Sequence, residues 1–467
     1  MTLSSRLIRR IVAPAWARWE RSPYLKHYRR LLKTQFDNPE TIAARQWAAI
    51  EGLMRHAVAT SPFYAARFAN AGLTSAAIRG FDDFRRIPCL TKHDLRQHGR
   101  EMLSSHYDPR DLRIKKTSGS TGVSVEILVD EDAMQFKRGC TLRSDEWTGW
   151  RLGERVGMVW GNPEYVKRGW RGRLRNTLLE RAVYLDTLKM DERAMQTFLE
   201  KIRELRPTLF FGHAHSLYLF AEYAGSHGGP GYRPRGIISS AMVLHQFQRE
   251  AIERVFGCQV TNRYGCEEVS LIACECEEHR GLHVNSDGVY VEVIGARGEP
   301  CAVGEPGSLV VTDLSNRAMP ILRYKVGDVG VLSYRRCPCG RGLPLLEKLE
   351  GREADYVLTP DGQLISGISL TENFAMLVPG IEQLQIVQEQ IDDIRFRIVK
   401  GADYGAASVA KVGELTRERF GDNVRYEIEY VDAIPQEPSG KYRFCISNVA
   451  NPFLSNHEPA PVRTSST

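Results

Sequence analysis

Between residues 156 and 262 of this 467-residue chain, short apolar runs alternate with helical stretches, and that alternation restricts the fold more than any other feature. The runs are 156–160 (VGMVW), 208–212 (TLFFG), 236–240 (GIISS) and 258–262 (CQVTN), while 132–147 and 191–205 carry the helical period. Such runs read as buried strands, and strands alternating with helices imply a mainly parallel sheet whose functional residues lie at strand ends. Past residue 281 the texture is β-rich, at 288–294, 308–312 and 329–333. From 383 a smaller α+β pattern follows: strands at 383–389, 393–399 and 424–430, with a helix over 408–420. Nearer the start, 39–71 reads as helical with an interruption at Ser61-Pro62-Phe63-Tyr64, and a further helix is predicted over 82–102 with a capped start at Thr91-Lys92-His93-Asp94.

The chain exceeds the size of one hydrophobic core, so two or three domains are expected. With 42% hydrophobic and 26% charged residues it has the balance of a globular protein. Residues 1–60 form a basic helical segment, 61–350 the main domain and 351–450 a small C-terminal unit, with a break at Gly351-Arg352-Glu353-Ala354-Asp355. The Ser-, Pro- and Asn-rich tail, 451–467, reads as disordered. The apolar runs are short and no secretion segment is evident, which makes the cytoplasm the expected location. Ten cysteines, mostly scattered, suit reduced thiols and one metal better than a disulfide framework.

Net charge is +6, and the first segment is crowded with basic residues, Arg6 to Lys33, interleaved with Leu7, Ile8, Ile11, Val12, Trp16 and Trp19. Such a helix could make peripheral contact with an anionic membrane, or pack on its own domain with a solvated basic face, which is the commoner case. The rest of the chain is near neutral and shows no nucleic-acid motif, so no nucleic-acid partner is expected.

Lys115-Lys116-Thr117-Ser118-Gly119-Ser120-Thr121-Gly122 precedes an alternating run, 123–129. Glycines admit close backbone approach, hydroxyls add donors and lysines add charge, so the loop suits nucleotide phosphates; an ordinary Ser/Gly turn is the alternative. It lacks Walker spacing. Three motifs follow in order: Asn262-Arg263-Tyr264-Gly265-Cys266-Glu267-Glu268, Arg323-Tyr324-Lys325-Val326-Gly327-Asp328 and Pro438-Ser439-Gly440-Lys441-Tyr442-Arg443. With the phrases CEEHRGLHVNSDGVYVEV, NRAMPILRYKVGDVGVL and CPCGRGLPLLEKLEGR, the series resembles the adenylate-forming superfamily of acyl-CoA synthetases, and within it the phenylacetate-CoA ligase and CapK-like branch, over roughly residues 60–448.

That resemblance implies an ATP-dependent carboxylate-CoA ligase that adenylates an organic, aryl acid with ATP and Mg²⁺ and then transfers the acyl group to CoA. Ser118, Gly119, Ser120, Thr121 and Gly122 would hold the phosphates, with Thr121 also catalytic. Glu268 would bind Mg²⁺. Tyr264 and Gly265 would flank the adenine, with Asn262 or Arg263 at its rim; Asp328 and Arg352 would grip the ribose. Lys441, on a swinging C-terminal domain, would stabilise charge between the α-phosphate and the carboxylate. His213, Ser239, Ser240, Ala241 and Met242 are candidates for the acid pocket, and His215 is a further one or an ordinary loop histidine. Two positions depart from the pattern: Ala354 at the hinge, and Val123-Ser124 where relatives carry proline. The alternatives are an adenylyltransferase or acyl-activating enzyme with a non-CoA acceptor in capsule or cofactor metabolism, and a non-catalytic nucleotide-binding scaffold. Keeping Lys441, Glu268 and Asp328 together argues against the scaffold. A homodimer is compatible with the resemblance.

Cys274, Cys276, His279 and His283 precede Cys337 and Cys339 by about sixty residues, and four soft ligands from two loops would close a tetrahedral structural Zn²⁺ site; free thiols are the alternative. The resemblance selects Cys276, His283, Cys337 and Cys339, with His279 competing for the fourth place.

Overall fold

The computed structural model describes residues 3–117, 125–161, 169–242, 244, 246–295, 298–350, 356–360, 364–366, 370, 371, 373, 374, 377–434 and 445–449. Strands β1 (Arg113–Thr117) and β2 (Val125–Val129) pair antiparallel on either side of the Ser/Gly loop, which itself lies outside the described residues. The parallel half of the main sheet is formed by β3 (Val156–Trp160), β4 (Ala182–Asp186), β5 (Leu209–His213), β6 (Gly236–Ser240) and β7 (Val260–Cys266), in the order β7-β6-β5-β3-β4. Parallel neighbours need crossovers, which the helices Glu192–Leu205, Ala214–Ser226 and Gln246–Phe256 supply. Phe198, Phe210, Phe220 and Phe256 fill the space between these helices and the sheet.

At β7 the direction of pairing changes. Its other edge is antiparallel to β8 (Ser270–Glu275), and the sheet continues through β9 (Leu282–Val284), β10 (Val289–Ile294), β11 (Gly307–Asp313), β12 (Tyr324–Ser333) and β13 (Leu345–Glu350) in the order β8-β9-β13-β12-β11-β10, eleven strands in all. Beyond it lie a hairpin of β14 (Tyr356–Leu358) and β15 (Leu364–Ser366), then β16 (Ile381–Gln390), β17 (Asp393–Lys400), β18 (Arg425–Tyr430) and β19 (Cys445–Ser447), which form a four-stranded sheet ordered β18-β17-β16-β19 with the helix Ala406–Phe420. The expected α/β class, with a mainly parallel sheet, a β-rich part and a small α+β C-terminal part, is what the chain adopts.

Helix starts follow local chemistry. Asn38 accepts from Thr41 N at the head of Pro39–Thr60, Ser61 caps Pro62–Asn70, and Asp130 and Asp191 cap Glu131–Glu146 and Glu192–Leu205. Each such cap satisfies an orphan N–H and contributes about 1 kcal/mol. The helix predicted over 82–102 does not form as one element: Phe81–Phe84 and Lys92–His98 are separate, the second started by the Thr91/Asp94 capping box. Pro88 cannot continue a helix, and Leu90 instead bridges to Tyr324 like a strand. Several elements were not anticipated, among them β4, β8, β13 and the helices Gln246–Phe256 and Ala214–Ser226, the last of which places His215 in a helical first turn rather than a loop.

The first helices share one core with the antiparallel half. Tyr64 Oη donates to the Pro320 carbonyl at 2.8 Å and accepts from Leu322 N at 3.1 Å, so one buried hydroxyl ties residues more than 250 apart.

Candidate functional site

A cavity of about 190 Å³ opens at the end of β7, where parallel and antiparallel pairing meet. Ala241, Asn262, Tyr264, Gly265, Glu268 and Asp328 all line it. Open α/β sheets bind ligands at such places because the neighbouring connections part there. Tyr264 Oη donates to Asp328 Oδ2 at 2.7 Å, which fixes both the phenol and the carboxylate. Glu268 accepts from Tyr324 Oη at 3.0 Å, and Lys92 Nζ stands 4.0 Å from the same oxygen. Glu268 is 7% exposed, so a cation held there has little competition from bulk water. Its neighbour Glu267 points outward and pairs with Lys115 at 3.7 Å. Lys115 also donates to Ser270 Oγ at 3.1 Å, and burial pulls its ammonium below the usual lysine range.

The backbone is tight here. A Cβ on Gly265 would lie 2.4 Å from the Ser270 carbonyl oxygen, so only glycine lets the two strands approach at this bulge. Ala241, just past β6, holds φ +68°, a left-handed conformation costing about 1–2 kcal/mol for an L side chain. Strain of this kind collects where a chain is bent to present a ligand surface.

Arg263 also lines the cavity, with its guanidinium engaged by neighbours. Its guanidinium donates to Asp145 at 2.5 Å and Ser144 at 3.0 Å and packs over Phe211. Arg323, from the third motif, is equally committed: 3% exposed, it donates to Glu292 at 3.1 Å and to the carbonyls of Arg85 and Ile87. It thus clamps the stretch leading to Lys92. Neither Lys92 nor this clamp was legible in the sequence, because the partners lie far along the chain, Glu268 from Lys92 and Arg323 from Arg85 and Ile87; the one local signal was the capping box that starts the Lys92 helix.

His213, Ser239 and Ser240 lie at the ends of β5 and β6, His213 opposite Ser240 and Ser239 opposite Asn262, and do not line this cavity. His213 is 2% exposed, its ring lies 3.9 Å from that of Trp160, and burial pushes its pKa down to about 3. Among the described residues, His213 Nδ1 and Ser239 Oγ have no hydrogen-bond partner. His215 instead meets Gln248 at 3.0 Å. Ser118, Gly119, Ser120, Thr121, Gly122, Arg352, Ala354 and Lys441 lie outside the described residues.

A second constellation joins β8 and β9 to the loop between β12 and β13. The ligand atoms of Cys276, His283, Cys337 and Cys339 all lie within 4.8 Å of one another. Cys276 Sγ and Cys337 Sγ are 3.7 Å apart, close to the roughly 3.8 Å expected for two sulfurs on one tetrahedral zinc with bonds of about 2.3 Å. His283 Nδ1 is 3.2 Å from the Leu343 carbonyl, which leaves Nε2 facing Cys339 Sγ at 3.2 Å. A carbonyl behind the imidazole is the usual way of fixing a ligand histidine. Burial raises the Cys339 thiol, but hydrogen bonds involving His283 and Arg341 outweigh it and bring the pKa down to about 6. Burial raises Cys276 and Cys337. His279 lies elsewhere, 3.2 Å from Glu275, and Cys274 is buried beside Arg263. The four residues fit a closed metal site.

Comparisons with known proteins find likenesses over most of the chain. Residues 357–448 match the model of the CapK C-terminal domain. Protein CapK of Staphylococcus aureus is 24% identical over 446 residues, 91% of this chain and 93% of that protein. Phenylacetate-coenzyme A ligase of Thermus thermophilus is 26% identical over 333 residues, 68% of this chain and 72% of its own. Among solved structures, 2-hydroxyisobutyryl-CoA ligase in complex with 2-HIB-AMP and CoA superposes with a TM-score of 0.61 at 19% identity, covering 90% and 92% of the two chains. The chain is similar to proteins of the adenylate-forming superfamily. Within it, the similarity is to phenylacetate-CoA ligase and CapK.

Proposed function

We propose that the chain is an AMP-forming acid–thiol ligase, which joins a small carboxylic acid to AMP with release of pyrophosphate and then to the CoA thiol. The observation carrying this reading is the convergence of Asn262, Tyr264, Gly265, Glu268 and Asp328 on one cavity at the turning point of the sheet. In it, Asp328 accepts the ribose hydroxyls, with Tyr264 holding the carboxylate in place by its 2.7 Å hydrogen bond. Tyr264 and Gly265 border the base. Glu268, set by Tyr324, holds Mg²⁺, the ion that neutralises charge on the phosphates. Lys92 lends that corner positive charge. Ser118 to Gly122 contribute phosphate donors, Arg352 a second ribose contact, and Lys441 the charge that stabilises the attack of the carboxylate on the α-phosphate. Ala241 and Met242, which line the cavity beside Asn262, border the acid.

Structural Zn²⁺ is assigned to Cys276, His283, Cys337 and Cys339; with all four positions filled by protein it binds no reacting water. Incubation with ATP, Mg²⁺ and a panel of aryl, aliphatic and hydroxylated acids tests the activity. Pyrophosphate release that depends on one of the acids, followed by thioester formation when CoA is added, is the expected outcome. ATP binding with no acid-dependent pyrophosphate would favour the scaffold.

A further inference from the structure

Two helices far apart in sequence meet on the surface with their outer faces apolar. The chain is helical from Leu3 to Trp19 and again from Gly169 to Glu180, with a wider turn in each. The first buries Ala13 and Ala17 and packs Ile8, Val12 and Trp16 against the same cluster as Leu179, Leu209 and Ile238. The two are also joined by Arg175 to Glu20 at 2.6 Å and Arg181 to Ser5 at 3.3 Å.

Their inner faces are therefore already satisfied, yet the outer faces are not polar. Leu3, Leu7 and Ile11 follow at four-residue spacing, 85%, 53% and 59% exposed, with Trp19 beyond them at 67%. Trp170, Leu174 and Leu178 repeat that spacing on the second helix. Seven of the sixteen large exposed apolar side chains among the described residues thus fall on these two short helices. A solvated helix would carry polar residues there.

Charge surrounds the same rows. Residues 3–33 hold nine basic residues and one acid, and 169–181 hold four and one, whereas the whole chain is only +6, so the remainder is net acidic. Arg6, Arg10, Arg18, Arg21, Arg171 and Arg173 are exposed, and among the described residues none of them is paired with a carboxylate. No described helix is long and apolar enough to cross a bilayer. Exposed Leu, Ile and Trp between unpaired arginines, on helices lying flat against the body, match the interface of an anionic lipid surface: the apolar rows enter the acyl boundary while guanidinium groups meet headgroup phosphates.

We propose that the surface formed by Leu3–Trp19 and Gly169–Glu180 docks this protein peripherally on an anionic membrane. The test uses the full chain in flotation with vesicles of phosphatidylcholine alone or with about one-third phosphatidylglycerol, at low and high salt. Binding to the anionic vesicles, weakened by salt and at least tenfold stronger than to the neutral ones, is expected. Leu7→Ser with Ile11→Ser and Leu174→Ser should lower it at least tenfold with thermal stability unchanged; Arg6→Gln with Arg10→Gln and Arg171→Gln should remove most of the salt dependence. Equal binding to both vesicle types, or undiminished binding by the serine variant, would overturn the proposal. So would a dimer dissolved by the same serine substitutions, or retention on a nucleic acid without vesicle binding.

Discussion

His213 illustrates what a single residue can report about the site. Its folded pKa, about 3, is depressed from 6.5, so between those values the unfolded chain binds a proton that the folded chain refuses. The residue costs nothing above pH 6.5, and stability falls by about 1.4 kcal/mol per pH unit as the pH drops from 6.5 toward 3. Replacing His213 with Asn should flatten that part of the stability profile, read by chemical unfolding at pH 7, 6 and 5. A difference profile without slope would mean that the imidazole is not dry. Single residues were legible in the sequence to different degrees. Glu268 could be chosen over Glu267 only through the family's motif, and the structure gives the physical reason: one carboxylate faces the cavity, the other the solvent. Arg323 and Lys92 stayed hidden because nothing near them in the chain says what they touch.

At the scale of elements, local chemistry spoke clearly where the partner was local. The capped start at Thr91/Asp94 was readable because donor and acceptor lie three residues apart. Helix continuity over 82–102 was misread because period alone does not weigh Pro88, nor the pull of Tyr324 on Leu90. Strand β4 escaped because it is a half-buried edge with little apolar contrast. The cysteine loops were readable by spacing, whereas the choice between His279 and His283 needed the sheet: β9 pairs with both β8 and β13, which delivers His283 and carries His279 toward Glu275. The purified protein is expected to hold about one Zn²⁺ per chain by elemental analysis. Cys339→Ser should lower zinc content and melting temperature together, while His279→Ala should keep the metal. Full zinc retention in Cys339→Ser would remove this assignment.

For the whole molecule, the two halves of the sheet differ in how far along the chain their partners lie. The parallel half is assembled from consecutive units between Val156 and Cys266 and fills its own core. The antiparallel half shares its core with the helices Pro39–Thr60 and Pro62–Asn70, and Tyr64 waits for Pro320 and Leu322. During synthesis the order of folding should therefore not follow the order of residues. The middle of the chain can settle as it leaves the ribosome, while the helices Pro39–Thr60 and Pro62–Asn70 remain in want of a partner until Leu322 has emerged, an interval of many seconds at about 5–20 residues per second. Limited proteolysis of ribosome-arrested chains should find 156–262 protected in intermediates whose 39–102 region is still cut. Protection of the early helices before residue 318 is released would contradict this. A nascent chain of this kind carries its exposed apolar helices for longest at its leading end, which makes that end the natural client of a chaperone.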